Sequence, residues 1–292
     1  MTTLATTALV DLPSAGPHQR GTTLASPGDG DITLSGASEE TWRTALDRAD
    51  PPPMQWGCRP GRAIVIAPHP DDEILATGGA MLQLVRRGFS VVVLAVTDGE
   101  AAQPHASAGS RRSLSAVRAC ERKAALGALG LADVTVARAC IPDGGVVAHE
   151  RLLTEMLVQL FEPRHRRPSR VPPGPGWCIA PWRQDGHPDH EAAGRAAAAA
   201  AAHCGSRLLE YPVWAWQWLR PDDPRFPWPN LRVEHLSRST RSAKQRAIAA
   251  FASQIEPWES AREPILSPAM LQRFSRPFEG FLVQEGAQER LR

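Results

Sequence analysis

The chain has 292 residues, 42% of them hydrophobic, with 33 basic against 31 acidic side chains and a net charge of +2. That length can build one sizeable α/β domain with appendages, and the near-balance of charge gives no reason to expect nucleic acid or an acidic membrane surface as partner. No run approaches the ~18 apolar residues of a membrane span, and five cysteines, odd in number and without Cys-x-x-Cys spacing, point away from a disulfide framework and towards a reducing compartment, with the cytoplasm as the expected location.

Taken in chain order, residues 1–37 are rich in Thr, Ser, Gly, Ala and Pro and are expected to be a disordered N-terminal segment. Residues 38–61 read as a short helix, begun by Ser38-Glu39-Glu40-Thr41, and a Pro-rich linker stopped by Pro51-Pro52-Pro53. The main domain, 62–292, opens with the buried strand Ala63–Pro68, followed by a helix over Ile74–Arg87 and the β-branched strand Ser90–Thr97. A helix over Ser113–Leu129, a weaker strand Val134–Ala137, a helix Glu150–Phe161 and a short strand Trp177–Pro181 come next. The basic run Arg164-His165-Arg166-Arg167 lies between Pro163 and Pro168 and reads as a solvated loop. His190–His203 holds a seven-alanine run, Ala196–Ala202, a strong helix former. The β-α-β-α order predicts a Rossmann-like, mostly parallel sheet with helices on both faces.

Beyond Ser206 the texture changes. Leu208–Val213 predicts a strand, and from about 214 a C-terminal extension begins. Trp214, Trp216 and Trp218 alternate there, a pattern that reads as one packed face of a strand, with an aromatic wall for a sugar or apolar ligand as the alternative. Ser242–Ser253 predicts a helix and the remaining tail reads as irregular.

Two cassettes carry the chemistry. His69-Pro70-Asp71-Asp72-Glu73 leaves the first strand, and His187-Pro188-Asp189-His190 precedes the alanine-rich helix. In open α/β sheets, ligands bind beyond the carboxyl ends of strands, so both cassettes are expected on one rim. Together they offer enough nitrogen and oxygen ligands for one zinc-type ion, with carboxylate and imidazole to spare for acid–base work.

These cassettes, with Gly78-Gly79 after the first, Arg118-x-x-Glu121 followed by Leu126-Gly127 and Leu129-Gly130, and the turn Pro142-Asp143-Gly144-Gly145, resemble the PIG-L/LmbE family of zinc-dependent N-acetylglucosaminyl deacetylases over roughly residues 62–215. The resemblance implies a Rossmann-like fold and a hydrolase that removes the acetyl group from an N-acetylglucosamine-type sugar or its conjugate by a metal-activated water. It implies His69, Asp72 and His190 as ligands of Zn2+ or another divalent transition metal, and Asp71 as general base. His187 would assist at the oxyanion or leaving amine as a cation, with Asp189 hydrogen-bonded to its other ring nitrogen and favouring the imidazolium. Arg118 and Asp143 are expected at the substrate, with an Arg118–Glu121 salt bridge and a plain turn as their respective structural alternatives. Glu73 either orders the site from behind the ligands or favours a helix N-terminus. Some family members carry tyrosine two residues before the second cassette. Here that position is Asp185, which leaves oxyanion stabilisation to the metal and His187 or to another group. Two other readings stay open: a metallo-β-lactamase-like hydrolase, faintly suggested by Asp185–His190, and a non-catalytic, metal-stabilised carbohydrate-binding module. The expected partner is a small amino-sugar conjugate.

Overall fold

Arg62–Ala67 forms β1, and its alternation divides the core. Ala63, Val65 and Ala67 pack on one face of the sheet, Ile64 and Ile66 on the other, all fully buried. The structure, a computed structural model, describes residues 36–102, 107–162, 176–258 and 263–284. Most of the 1–37 segment and all of the Arg164–Arg167 run lie outside those residues.

The elements follow in the order α1 (Glu39–Ala49), β1, α2 (Asp72–Leu75), α3 (Gly78–Arg86), β2 (Ser90–Ala95), α4 (Ala108–Leu129), β3 (Thr135–Arg138) and α5 (Glu150–Phe161). Then come β4 (Trp177–Pro181), α6 (Pro188–Cys204), β5 (Arg207–Tyr211), α7 (Ala215–Trp218), β6 (Leu231–His235), α8 (Arg238–Ile248), α9 (Ala252–Ile255), α10 (Pro268–Phe274) and β7 (Phe278–Val283). The seven strands form one sheet in the order β3-β2-β1-β4-β5-β7-β6. Pairings among β3, β2, β1, β4 and β5 are parallel, whereas β7 runs antiparallel to both β5 and β6. One face is covered by α3 and α4 through Ala80, Met81, Leu84, Ala125, Leu126 and Leu129. The other is covered by α5 and the alanine face of α6. The expected α/β class and mostly parallel sheet are thus what the chain forms.

The strand order reverses between β1 and β4. This is the switch point at which open α/β sheets gather ligands, and it is where both cassettes emerge. His187 is the N-cap of α6 and Pro188 sits in its first turn, the position where a missing N–H costs nothing. The second cassette is therefore the start of the helix rather than a turn before it.

Three expectations are corrected. The single helix predicted over Ile74–Arg87 is broken into α2 and α3, because the amides of Gly79 and Ala80 turn to the buried carboxylate of Glu279, at 2.7 and 2.8 Å. A side chain at Gly79 would put its Cβ 2.3 Å from Leu236 Cδ2. The alternating tryptophans do not lie on a strand. Asp185 accepts the backbone amides of Val213, Trp214 and Ala215 at 2.8–3.0 Å, which ends β5 and starts the helical turn α7. The tryptophans consequently point to different neighbours: Trp216 meets Trp42 edge-on at 4.9 Å, Trp214 faces His187, and Trp218 Nε1 donates to the Asp185 carbonyl. Finally, the tail is not irregular. It supplies β7, which inserts between β5 and β6, and α10, whose Arg273 joins Arg276 in holding Glu39 of α1 at 2.7 Å.

Candidate metal centre and active site

The loop after β1 is pinned residue by residue. The His69 amide donates to Asp72 Oδ2 at 2.9 Å, and the Asp71 carbonyl accepts from the amides of Ile74 and Leu75, each at 2.8 Å. Asp71 itself has φ 141° and ψ −31°, a conformation that L residues rarely adopt and that persists only where the surroundings impose it. Glu73 is fully buried, paired with Arg122 Nε at 2.9 Å, and accepts the Asp71 amide at 3.3 Å. It therefore orders the loop from behind the cassette, besides lying in the first turn of α2.

The two cassettes meet. His69 Nδ1, His190 Nε2 and Asp72 Oδ2 form a triangle with edges of 3.2, 3.3 and 3.6 Å. A tetrahedral zinc ion with ligands at ~2.0–2.1 Å needs donor atoms roughly 3.3–3.4 Å apart, so this donor set fits such an ion without rearrangement. His187 lies close by, its ring centroid 4.8 Å from that of His69 and 5.0 Å from that of His190. Donor atoms of His69, His187 and His190 fall within 4.8 Å of one another, as do those of His69, Asp143 and Asp189.

Outer carboxylates reinforce the metal fit. His69 Nε2 lies 3.2 Å from Asp143 Oδ1 and 3.4 Å from Asp189 Oδ2. His190 Nδ1 makes a bent contact of 2.8 Å with Asp185 Oδ2. A ligating imidazole ordinarily donates its far nitrogen to a carboxylate, which fixes ring orientation and raises basicity. Both imidazoles of the triangle have a carboxylate beside the far nitrogen, within 3.4 Å at His69 and 2.8 Å at His190.

The electrostatics follow from the crowding. Burial alone would lower the His69 pKa, but Asp143, Asp189 and Asp72 more than reverse this and raise it well above its ordinary value. Burial is likewise overcome at His190, where Asp72 and Asp185 raise the pKa to about 9. At Asp143 burial opposes ionisation, yet His69 and the Ala101 amide bring the pKa down to about 2. Asp71 goes the other way: burial and the adjacent Asp72 raise its pKa well above the carboxylate range, with Arg118 opposing.

Several expected roles are redistributed. The Asp189 carboxylate does not touch His187. It accepts the amides of Gly144 and Val146 at 2.8 and 3.1 Å and faces His69. The backbone amide of Asp189 donates instead to His187 Nδ1, at 3.2 Å. An imidazolium cannot accept there, and burial beside His69 and His190 lowers the His187 pKa to about 3. The ring is therefore a neutral imidazole with its proton on Nε2, not the expected cation. Asp143 is neither a plain turn residue nor directed away from the cluster: it holds His69 and the Ala101 amide. Arg118 forms no bridge to Glu121. Its Nη1 donates to the Gly99 carbonyl at 2.6 Å, while Nε and Nη2 are buried without partners. Asp185, the position that departs from the family pattern, is fully buried and braces His190. Tyr211, the single tyrosine of the chain, cannot stand in for the missing one, since its buried hydroxyl donates to the Ile66 carbonyl.

Residues 64–201 match the sequence model of the PIG-L family, described as GlcNAc-PI de-N-acetylase. No sequence among curated proteins matches the chain. Several solved structures share the fold. N,N'-diacetylchitobiose deacetylase from Pyrococcus horikoshii is 18% identical, with 87% of this chain and 90% of that one covered and a TM-score of 0.52. The A40926 pseudoaglycone deacetylase Dbv21 is 22% identical over 76% of this chain and 96% of its own, TM-score 0.53. GalB, the 4-carboxy-2-hydroxymuconate hydratase of Pseudomonas putida KT2440, is 16% identical over 77% and 95%, TM-score 0.52. A fold shared by deacetylases and a hydratase does not choose the reaction; the residues at the rim must.

Proposed function

We propose, from the match of residues 64–201 to the PIG-L family, that the chain is a metal-dependent de-N-acetylase of an N-acetylglucosamine-type sugar or conjugate. The observation that carries this reading is the triangle of His69 Nδ1, Asp72 Oδ2 and His190 Nε2, sized for a zinc-type ion and flanked by a carboxyl and an imidazole that are not needed as ligands.

His69, Asp72 and His190 would hold a divalent ion, which would supply Lewis-acid chemistry to an amide carbonyl and to water near neutral pH. Asp71 takes the proton of the attacking water as the new C–O bond forms at the acetyl carbonyl. His187, neutral with Nε2–H, stabilises the developing oxyanion as a hydrogen-bond donor. It does not give up a proton, because doing so would leave an imidazolate. The proton required by the leaving nitrogen comes from Asp71, which returns it as the C–N bond breaks. Water and the N-acetyl amide thus yield acetic acid and an amine, which at neutral pH are acetate and an ammonium, and Asp71 serves first as base and then as acid. Arg118, with two buried nitrogens free of partners beside Asp71, is suited to binding substrate oxygens.

The test is amine release from N-acetylglucosamine attached to varied aglycones. Exhaustive chelation abolishes turnover and zinc restores it. Asp71→Asn keeps its zinc and loses turnover by roughly 10²–10⁴-fold, the usual worth of a positioned acid–base group. Turnover that survives complete metal removal overturns the proposal.

A further inference from the structure

The peptide joining Pro70 to Asp71 is held from a part of the chain that the family match does not reach. Gln254, on α9, is buried and donates its side-chain amide to the Pro70 carbonyl. The other side of the same peptide, the Asp71 N–H, donates to Glu73 Oε2, and Glu73 is fixed by Arg122. Both polar groups of this peptide plane are therefore gripped by buried side chains. The grip falls where it matters, because the φ of Asp71 measures rotation about the bond that follows this plane, and φ is 141°. Released, the plane can turn and let Asp71 relax towards negative φ, which swings its Cα–Cβ bond and carboxyl.

The segment that carries Gln254 is itself anchored. Ser253 donates from both its amide and Oγ to the carboxylate of Glu121, each at 2.7 Å, and Leu266 donates to the Gln254 carbonyl at 2.9 Å. Glu121 and Arg122 are neighbours on α4, with Arg118 one turn before them. One helix thus braces Gln254 on one side of the Pro70–Asp71 peptide and Glu73 on the other.

We propose that Gln254 is a positioning residue for Asp71: through the Pro70 carbonyl it holds the general base in its strained, productive orientation. This rests on the reading of Asp71 as the base. That reading fails separately, if Asp71→Asn retains turnover.

The test is Gln254→Met, which keeps side-chain length but cannot donate. The expected result is a fall in kcat of roughly 10–100-fold, the scale for a sub-ångström to ångström misplacement of a reacting group, with KM and the zinc content of the purified protein within about twofold of wild type. A crystal structure of the variant is expected to show Asp71 moved from φ 141°. An unchanged kcat, or an unchanged Asp71 backbone, overturns the proposal. So does a parallel loss of zinc and turnover, which marks a general structural role. If Gln254→Met does not fold, Ser253→Ala, which removes one of the two bonds to Glu121, decides on the same measurements: a smaller fall in kcat with zinc retained supports the proposal, and wild-type kcat overturns it.

Discussion

Asp185→Asn tests whether this buried acidic residue braces both the start of α7 and His190. The carboxylate accepts three backbone amides, with Oδ1 serving Val213 and Ala215 and Oδ2 serving Trp214, and Oδ2 also touches His190 Nδ1. Asparagine has one acceptor oxygen. With that oxygen at the Oδ1 position, two charge-assisted bonds of ~1.5–3 kcal/mol become neutral bonds of ~0.5–1.5 kcal/mol. The new amide group then points its hydrogens at the Trp214 N–H and His190, so a third bond is lost and donors face donors in a buried site. The total is about 3–5 kcal/mol of folding stability. Loss of the carboxylate behind a ligating imidazole costs a further 10–100-fold in metal affinity, or about 1.4–2.7 kcal/mol. Urea denaturation of the metal-free protein reads the first quantity, and competition with a chromophoric chelator for zinc reads the second. A loss of kcat alone, with folding stability and zinc affinity unchanged, would contradict the bracing role. A variant within 1 kcal/mol of wild type (about the low end of a single buried bond) with unchanged zinc affinity refutes the bracing role.

Two further outcomes are expected. Burial on its own would raise the Glu39 pKa, but Arg276 and Arg273 more than reverse that and leave it lowered from 4.5. The ionised form is therefore favoured by folding, and its contribution is present above pH 4.5 and lost as the pH falls through the lower folded value. Glu39→Gln should cost about 1 kcal/mol at pH 7, after allowance for solvent screening, and the gap to wild type in thermal melts should close on acidification below pH 4.5. A gap that persists or widens in acid contradicts the assignment. Trp214 stacks on His187 with centroids 5.9 Å apart and planes inclined by 25°. An aromatic pair is worth ~0.5–1.5 kcal/mol, so Trp214→Ala should lower kcat by up to roughly tenfold with zinc content unchanged, and a variant with full kcat removes Trp214 from any part in holding that ring.

The parallel half of the sheet was legible because its signals are local. Ala63–Ala67 and Val91–Ala95 are continuous apolar runs, as strands buried on both faces must be, and the helices that follow them end near Gly88 and Gly130, both at positive φ. The antiparallel half was not. β6 and β7 carry the charged residues Arg232, Glu234 and Glu279, Gly280 lies within β7, and their pairing spans α8, α9 and α10, so nothing short-range announces it. The tryptophans misled for a related reason. An i, i+2 pattern predicts a strand only if the backbone amides are free to form a ladder, and here Asp185, some thirty residues upstream, takes three of them in succession.

The site divides in the same way. That both cassettes share one rim could be read from the residues, because each follows the end of a strand and the two strands are neighbours; His69, Asp72 and His190 as the inner set came from the resemblance. What each outer group does could not, since it depends on which atom faces which. Asp189 is the sharpest case. Beside His187 in sequence, it offers that ring a backbone amide and sends its carboxylate to His69. Under the mechanism proposed above, exchanging those two partners makes His187 a neutral hydrogen-bond donor rather than a cation able to donate a proton, and so assigns the second proton transfer to Asp71. One consequence follows for substitution at this position. Asp189→Asn keeps the backbone amide and hence the tautomer of His187, so its effect should appear at the metal, as weakened zinc binding through His69, rather than at the oxyanion. A kcat loss at saturating zinc, with zinc affinity unchanged, would return Asp189 to the role that its place in the sequence suggests.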